Sequence, residues 1–425
     1  MKKLITATVF LLASKIAFAQ TTKRVLFLGN SYTYVNNLPQ IIADVSASVG
    51  DTLIFDSNTP GGYTLQGHST NTTSLNKIML GDYDFVVLQE QSQLPSFPDF
   101  QVQSDVFPYA SFLDSVINRY NPCGETMFYM TWGRKNGDAS NCPIWSPVCT
   151  YAGMDSLLYL RYMMMADSNN AVVSPVGAVW KYIRQNYPLI DLYQSDESHP
   201  SPAGSYAAAC CFYTSMFRKN PLLITNNYIL SATDAANIRS AVKTIVYDSL
   251  LKWHIGEYDP IANFDFTATS NSVTFNNLST NAISYKWDFG DGDTSTTFNP
   301  EHTYATIGNY MATLIAYYCN FSDTITQAIN ISGTTGLNGV LNLNNKIKLY
   351  PNPFTTSTTL SYSNKVLSKS SIIIYDSYGN IVKQFNNLNG QKVLLNRDDL
   401  PSGIYFIRLV ENDNVSGFTK ALITD

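Results

Sequence analysis

Short apolar runs alternate with longer amphipathic stretches between residues 22 and 256. The stretches, such as NLPQIIADVSASV and DSLLYLRYMMMAD, carry apolar residues at helical spacing. The runs have the length and the β-branched or aromatic content of strands, and they are KRVLFLGN, TLIFDSN, YDFVVLQEQ, TMFYMTW and LIDLY. This alternation predicts a parallel sheet with helices on both faces and with binding sites at the carboxyl ends of its strands.

The pattern changes after Glu257, where threonine, asparagine and serine become frequent and strands alternate without a long helical period. We expect two β-rich units, residues 261–332 and 346–425, joined by a linker at 333–345 that is rich in Gly, Asn and Thr. The α/β unit is expected at residues 20–256. The chain of 425 residues is therefore predicted to be multidomain, with an α/β domain followed by two small all-β sandwiches.

The composition supports folded domains and argues against nucleic acid as a partner. Hydrophobic residues make up 45% of the chain and charged residues 14%, which is enough apolar material for real cores. The formal net charge of -5 gives no basic stripe that could neutralise phosphates.

The first residues resemble a signal for export. Two lysines are followed by an apolar stretch at residues 4–13, and the small-residue sequence Ala17-Phe18-Ala19 precedes Gln20. We expect residues 1–19 to be a signal peptide cleaved near Ala19 and Gln20. No later segment is long and apolar enough to span a bilayer, so we expect a protein that is secreted or displayed at the cell surface, without a transmembrane segment in the mature chain.

Six cysteines are too few for a disulfide scaffold, but export permits individual bonds. Cys142 and Cys149 enclose a short loop with two prolines and a tryptophan, which suits a disulfide, although two free thiols remain the alternative. The adjacent Cys210 and Cys211 are expected to be small core residues of a helix. The other two cysteines, Cys123 and Cys319, have no evident partner in the sequence.

The first strand run ends in Gly29-Asn30-Ser31, which places a serine at a strand end. A serine hydroxyl needs a base, and histidine is the best base near neutral pH. Of the four histidines, His199 lies in the loop SDESHPS, where Pro200 holds it in extended conformation. Asp196 precedes His199 by three residues and can turn onto its Nδ1 atom. Ser31, His199 and Asp196 are therefore the candidate catalytic residues.

An ester hydrolase also needs N–H donors for the negative oxygen that develops in the transition state. The Ser31 backbone N–H is one candidate, and the N–H of Gly62 in TPGGYTL is the second. A side-chain donor could come from Gln89 or Gln91, which end the strand run VVLQEQS.

The order and spacing of these four segments resemble the SGNH hydrolase superfamily over residues 22–220. Asn30 stands where the usual Gly-Asp-Ser motif has aspartate, and QEQS replaces the usual Gly-x-Asn-Asp. The resemblance implies a flavodoxin-like fold and a Ser-His-Asp mechanism without metal or cofactor. Direct matching of positions gives Gln91 for the asparagine, whereas the sialate O-acetylesterase-like variants favour Gln89.

Aromatic residues near these segments could stack on sugar rings. Trp132 and Tyr63 are the candidates for substrate binding, with the alternative that they are ordinary core and loop residues. We expect His68, in LQGHST, to lie on a helix surface.

The first β-rich unit contains SYKWDFGDGDTS and NPEHTY and resembles a PKD domain, with Trp287 as its buried anchor. Its acidic turn could hold calcium on Asp288, Asp291 and Asp293, but a self-satisfied turn is the expected arrangement. The second unit, with IKLYPNPF and LPSGIYFIRLV, resembles the C-terminal sorting domain of the type IX secretion system of Bacteroidetes. That resemblance implies the secretion machinery as a partner, while a carbohydrate-binding sandwich is the alternative.

Together, these expectations predict a secreted or cell-surface serine esterase that acts on carboxylic esters. The expected substrates are O-acetyl groups of carbohydrate. Two alternatives remain open. One is a lipid or thioester hydrolase with the same three catalytic residues, and the other is a non-catalytic binding or adhesion protein.

Overall fold

The computed structural model describes most of the chain, namely residues 20–332, 347–362, 367–390, 392–411 and 414–425. The predicted signal peptide and the predicted linker lie outside the described residues. The chain divides into two compact units. The first contains the residues up to Asn263 together with Ser279–Tyr285 and Ile315–Thr324. The second contains Phe264–Leu278, Lys286–Leu314 and the chain from Ile325 onwards.

The first unit is built on a five-stranded parallel sheet with the order β2-β1-β3-β4-β5. This is the strand order of a flavodoxin-like doubly wound fold, as predicted. All seven residues of β1 pair with β2, and its last four also pair with β3. The strands are β1 Thr22–Leu28, β2 Thr52–Asn58, β3 Phe85–Leu88, β4 Glu125–Tyr129 and β5 Val172–Ser174.

Four of the five predicted strands are confirmed, and the fifth is wrong. The segment LIDLY makes only an isolated bridge between Tyr193 and Pro200, and Leu189 at its start is almost fully exposed. The edge strand is instead Val172–Ser174, which pairs with β4. It is buried but only three residues long, and such a short apolar run does not stand out from the helices on either side.

Helices cover the sheet and supply most of the core of this unit. The central one is α9, in which every residue from Ala203 to Phe217 is buried, including Cys210 and Cys211 as predicted. The helices are α1 Ser31–Tyr34, α2 Leu38–Ala47, α3 Leu65–Thr70, α4 Thr72–Ile78, α5 Asp99–Asp105, α6 Phe107–Tyr120, α7 Tyr151–Asn169, α8 Val176–Asn186, α9 Pro202–Phe217 and α10 Ala232–Ile245.

The chain after the α/β fold forms antiparallel sheets. Strands β6 to β12 form a sheet of order β10-β7-β6 and another of order β12-β11-β8-β9, and Trp287 is fully buried, as predicted. These strands are β6 Phe264–Thr269, β7 Ser272–Asn277, β8 Ser284–Asp288, β9 Thr294–Ser295, β10 Glu301–Thr303, β11 Gly308–Tyr318 and β12 Phe321–Ile331.

The last part of the chain also forms two antiparallel sheets, of order β13-β14-β17 and β16-β15-β18-β19, around a separate apolar core. Its strands are β13 Ile347–Tyr350, β14 Ser357–Tyr362, β15 Leu367–Tyr375, β16 Ile381–Gly390, β17 Lys392–Asn396, β18 Gly403–Glu411 and β19 Asn414–Ile423. The described residues contain no helix that is both long and apolar enough to cross a membrane.

Two disulfides link cysteines of the first unit. Cys142 and Cys149 are bonded, as the loop between them suggests. Cys123 and Cys319 are also bonded, although they lie 196 positions apart and the sequence shows no partner for either. A pairing over so long a separation depends on the folded topology, so it cannot be read from spacing.

Candidate active site

Three polar segments leave neighbouring strands at the same edge of the sheet. Leu28, the last residue of β1, is in register with Asn58 of β2 and Leu88 of β3. The segments after these strands carry Ser31, Gly62 and Gln89, so the parallel register brings the predicted residues to one edge. The side chain of Asn30 confirms this proximity, because its Nδ2 donates to the carbonyl oxygen of Tyr63 at 2.8 Å.

Ser31 and His199 meet at this edge although they are 168 positions apart. The Oγ atom of Ser31 lies 2.9 Å from Nε2 of His199, and Nδ1 of His199 is hydrogen-bonded to Oδ2 of Asp196. A carboxylate at Nδ1 holds the proton there and leaves the Nε2 lone pair facing the serine hydroxyl. The three residues predicted as catalytic are therefore brought together in the order that a serine hydrolase requires.

Asp196 shapes its own loop as well as the imidazole. Its Oδ1 accepts the backbone N–H groups of Ser198 at 3.1 Å and of His199 at 3.0 Å. Partial burial opposes ionisation of this carboxyl, but the hydrogen bonds from the His199 ring and from the two backbone N–H groups outweigh it and lower the pKa of Asp196. Asp196 is therefore a carboxylate at neutral pH.

The loop that carries His199 rests on a stack of three aromatic rings. Trp132 lies between Tyr32, at 4.6 Å between ring centroids, and Trp180, at 3.7 Å. Its Nε1 donates to the carbonyl oxygen of Ser198 at 3.1 Å, and the Tyr32 hydroxyl lies 2.7 Å from Ser198 Oγ. Two aromatic side chains thus fix the residue directly before His199.

This arrangement corrects the prediction that Trp132 binds substrate. The indole is completely buried and each of its faces is covered by another ring, so it has no surface for a sugar. Tyr63, the other predicted contact, is half-buried, and its hydroxyl accepts a hydrogen bond from Asn71 at 3.0 Å. Its role at the substrate stays a prediction.

The turn before Ser31 is held by the buried side chain of Gln89. Its Oε1 accepts the Asn30 backbone N–H and the Thr33 hydroxyl, each at 2.9 Å. Its Nε2 donates to Asn30 Oδ1 at 2.8 Å and to the Glu90 carbonyl oxygen at 2.5 Å. Both N–H groups and both lone pairs of this amide are thereby used within the turn.

The fully engaged amide argues against Gln89 as the side-chain donor to the oxyanion, but it does not establish Gln91 in that role. Gln89 has no N–H left for an oxyanion in this structure. Gln91 is half-buried, and its Nε2 donates to Gln93 Oε1 at 3.1 Å while its Oε1 accepts the backbone N–H groups of Gln93 and Leu94. Gln91 therefore organises its own loop, and as an oxyanion donor it stays a prediction.

The backbone supplies two donors that are not otherwise engaged. Within the described part of the chain, no acceptor is hydrogen-bonded to the N–H of Ser31 or to that of Gly62. Gly62 has φ of 66°, a left-handed conformation that favours glycine, and a Cβ there would meet no atom within 4 Å. Conformation rather than space thus explains why glycine is needed at position 62.

Two buried ionisable residues at this edge do not stand out in the sequence. Glu90 accepts the backbone N–H of Leu65 at 3.2 Å and that of Gln91 at 2.5 Å, and burial raises its pKa to about 8. His68 is fully buried, which contradicts the expectation of a surface histidine. Burial lowers the pKa of its imidazole to about 4, so His68 is neutral.

One group of side chains outside this edge could hold a metal ion, namely Asp291, Asp293 and His302 in the described part of the chain. The turn is largely self-satisfied, as expected. His302 Nε2 lies 2.7 Å from Asp291 Oδ2, and Asp291 Oδ1 accepts the backbone N–H of Asp293 at 3.1 Å. Asp288 Oδ1 in the same turn accepts the backbone N–H of Gly290 at 2.9 Å.

Two family models match the chain after residue 258. Residues 259–331 match the PKD domain, and residues 348–424 match the secretion system C-terminal sorting domain. Both matches confirm resemblances drawn from the sequence. The comparison with curated proteins gave no match.

Solved structures resemble separate parts of the chain. A DUF4886 family protein from Bacteroides uniformis ATCC 8492 is 16% identical, with a TM-score of 0.47, over 54% of this chain and 95% of its own. A protein described provisionally as an SGNH hydrolase, from Slackia heliotrinireducens, is 24% identical, with a TM-score of 0.38, over 46% of this chain and 99% of its own.

The PKD1 domain of the metalloprotease PrtV from Vibrio cholerae is 37% identical over 17% of this chain and 98% of its own, with a TM-score of 0.17. Similarity at these values does not bear on activity or substrate, which have to be argued from the residues of this chain.

Proposed function

We propose that this protein is an exported serine esterase in which Ser31 is the nucleophile, His199 the general base and Asp196 the residue that orients the base. The observation that carries the proposal is the continuous contact from Ser31 Oγ to His199 Nε2 and from His199 Nδ1 to Asp196. A serine that was only a helix cap would not need an imidazole at its hydroxyl with a carboxylate behind it.

In the proposed reaction these three residues act in turn. Ser31 Oγ bonds to the ester carbonyl carbon while its proton passes to His199 Nε2, and the carbonyl oxygen becomes negative. Collapse of this intermediate breaks the bond to the alcohol, which leaves with the proton from His199. Water then repeats the attack on the acyl-serine, releases the carboxylic acid and regenerates Ser31. The free N–H groups of Ser31 and Gly62 are the proposed donors to the negative oxygen.

The proposed substrates are O-acetyl groups on carbohydrate outside the cell. The match of residues 348–424 to a secretion sorting domain supports handling by the type IX secretion machinery. Two tyrosines near the turn offer rings for a sugar, Tyr63 and the half-exposed Tyr34. A Cβ on Gly61 would lie 3.8 Å from the Tyr34 hydroxyl, so that ring reaches the Gly61-Gly62 loop.

The test is hydrolysis of p-nitrophenyl acetate, butyrate and octanoate by the mature full chain and by Ser31→Ala, which removes the nucleophile and no packing group. We expect turnover of acetate above octanoate, and a loss of at least about a thousandfold in kcat for Ser31→Ala. A preference for octanoate would favour the lipid alternative. Undiminished turnover in Ser31→Ala would refute Ser31 as the nucleophile, and a wild type as inert as Ser31→Ala would favour the binding-protein alternative.

A further inference from the structure

The peptide group between Gly29 and Asn30, one residue before Ser31, is held at both of its polar ends by buried side chains. Its carbonyl oxygen, on Gly29, lies 3.0 Å from His68 Nε2. Its N–H, on Asn30, donates to Gln89 Oε1 at 2.9 Å. Both side chains are fully buried, so neither contact is exchanged with solvent.

The hydrogen-bond partners of His68 determine where its proton lies. A carbonyl oxygen only accepts, so Nε2 must carry the proton that it donates to Gly29. Nδ1 then has a lone pair, which accepts the hydroxyl proton of Ser74 at 2.7 Å. The Ser74 oxygen in turn accepts from Asn58 Nδ2 at 2.8 Å. The neutral imidazole, protonated on Nε2, satisfies all three contacts, and burial, which lowers the pKa of His68 to about 4, favours this form.

These hydrogen bonds form a closed ring that begins and ends at Gly29. The backbone N–H of Gly29 donates to the carbonyl oxygen of Asn58 at 3.3 Å, and the side chain of Asn58 begins the series that returns through Ser74 and His68 to the Gly29 carbonyl. Gly29 also has no room for a side chain, because a Cβ would lie 2.6 Å from Gln89 Oε1 and from Thr33 Oγ1.

The next peptide group, between Asn30 and Ser31, carries the N–H proposed for the oxyanion. Its carbonyl oxygen accepts the backbone N–H groups of Thr33 at 2.9 Å and of Tyr34 at 3.1 Å, so it faces α1. In a trans peptide the N–H lies opposite to the carbonyl oxygen, and the Ser31 N–H therefore points away from that helix. Its direction depends on how the preceding peptide group is held.

We propose that His68 and Gln89 are positioning residues, which clamp the Gly29–Asn30 peptide group and thereby aim both the Ser31 N–H and the Ser31 hydroxyl at the substrate. This inference rests on the proposed esterase function. Neither residue contacts the reacting atoms, so the predicted defect is in kcat and not in KM.

The experiment compares His68→Leu with His68→Gln in the full chain on p-nitrophenyl acetate. Leucine removes the donor to Gly29, whereas a glutamine amide can restore it. We expect His68→Leu to lower kcat by about ten- to a hundredfold with KM within about twofold of wild type, and His68→Gln to recover most of that loss. A folded His68→Leu with the kcat of wild type would overturn the proposal.

If His68→Leu does not fold, Ser74→Ala provides the test of the clamp. Ser74→Ala removes the hydroxyl that donates to His68 Nδ1 and helps to hold the imidazole against the Gly29 carbonyl, and Ser46→Ala is its matched control. Ser46 is also fully buried and its Oγ donates to the Ile42 carbonyl at 2.8 Å, within α2. We expect Ser74→Ala to lose kcat several-fold and Ser46→Ala to keep it, and equal values for the two would contradict the clamp. Ser31→Ala distinguishes failure of the clamp from failure of the proposed function, because an active Ser31→Ala variant would refute the proposed Ser31 esterase itself.

Discussion

The turn that carries Ser31 and the loop that carries His199 are built in opposite ways. The turn is held by buried polar side chains, since Asn30, Thr33 and Gln89 are each no more than 2% exposed and bond to one another. In the loop, the side chains of His199 and Asp196 are 32% and 46% exposed.

The exposed loop depends on packing beneath it and on its own backbone. Its support is the stack of Tyr32, Trp132 and Trp180, together with backbone bonds such as Gln194 N–H to the His199 carbonyl at 2.8 Å. This difference indicates how each of the proposed catalytic groups is held in place. The turn of the proposed nucleophile is held by a buried hydrogen-bond network, whereas the proposed base stays partly exposed on an aromatic platform that hydrogen-bonds to the residue before it.

Removal of the platform should have the largest effect. Trp132→Ala deletes a fully buried indole and should lower the free energy of unfolding by about 3 to 5 kcal/mol. It also frees the Ser198 carbonyl, so kcat should fall even at temperatures where the variant is folded. Thermal unfolding and p-nitrophenyl acetate kinetics measure the two effects.

Trp253→Ala is the matched control, because Trp253 is also buried and its Nε1 donates at 2.7 Å to the carbonyl of Ile245, the last residue of α10, and not to the loop that carries His199. It should lose similar stability and keep kcat. Equal losses of kcat in the two variants would mean that the platform has no specific relation to His199.

The sequence brings out the three residues proposed as catalytic more clearly than it brings out the residues that support them. Ser31, Asp196 and His199 stand in short motifs whose residue types and spacing fit a nucleophile, an orienting acid and a base. Strands β1 to β4 are apolar runs that periodicity detects. Trp132 is ambiguous because burial and substrate stacking favour the same aromatic side chain.

The features that the sequence analysis did not find share a physical cause. Each depends on packing between residues that are distant in sequence, which the local pattern of polar and apolar residues does not show. LQGHST looks like a helix surface, yet His68 is buried through contacts with Gly29 and Ser74. The bond between Cys123 and Cys319 and the short β5 also depend on residues that are distant in sequence. For the same reason, the choice between Gln89 and Gln91 requires the hydrogen-bond network of the folded turn.

A smaller effect should come from Glu90, whose buried carboxyl group accepts the backbone N–H groups of Leu65 and Gln91. Burial raises its pKa from 4.5 to about 8, so the native state keeps a proton that the unfolded chain has released. The stability from this group is complete below pH 4.5 and is lost as the pH rises through 8, by about 1 kcal/mol between pH 7 and 9. Glu90→Gln should remove that loss in denaturant titrations at the two pH values.

Glu125→Gln is the control for this pH dependence. Burial raises the pKa of Glu125 to about 6, so most of its titration is over by pH 7, and the substitution should leave the loss between pH 7 and 9 in place. If Glu90→Gln keeps the same alkaline loss as wild type, another group is responsible for it.

The smallest effect should come from Gln91, whose amide already serves its own loop. Gln91→Ala should lower kcat by less than about tenfold, whereas loss of an oxyanion donor costs about a hundred- to a thousandfold. Steady-state kinetics with p-nitrophenyl acetate distinguish these ranges. A hundredfold loss at unchanged KM would assign Gln91 to the oxyanion hole, with its amide released from Gln93 when substrate binds.

The central claim is that His199 activates Ser31, and the most direct measurement is the rate at which a fluorophosphonate modifies the full chain, with the modified residue identified by mass spectrometry. The serine oxygen bonds to phosphorus and fluoride leaves, so the rate reports nucleophilicity without a choice of substrate. We predict one phosphonyl group, on Ser31, none in Ser31→Ala, and a much slower reaction in His199→Gln. Modification at another residue, or an equal rate in His199→Gln, would contradict the account.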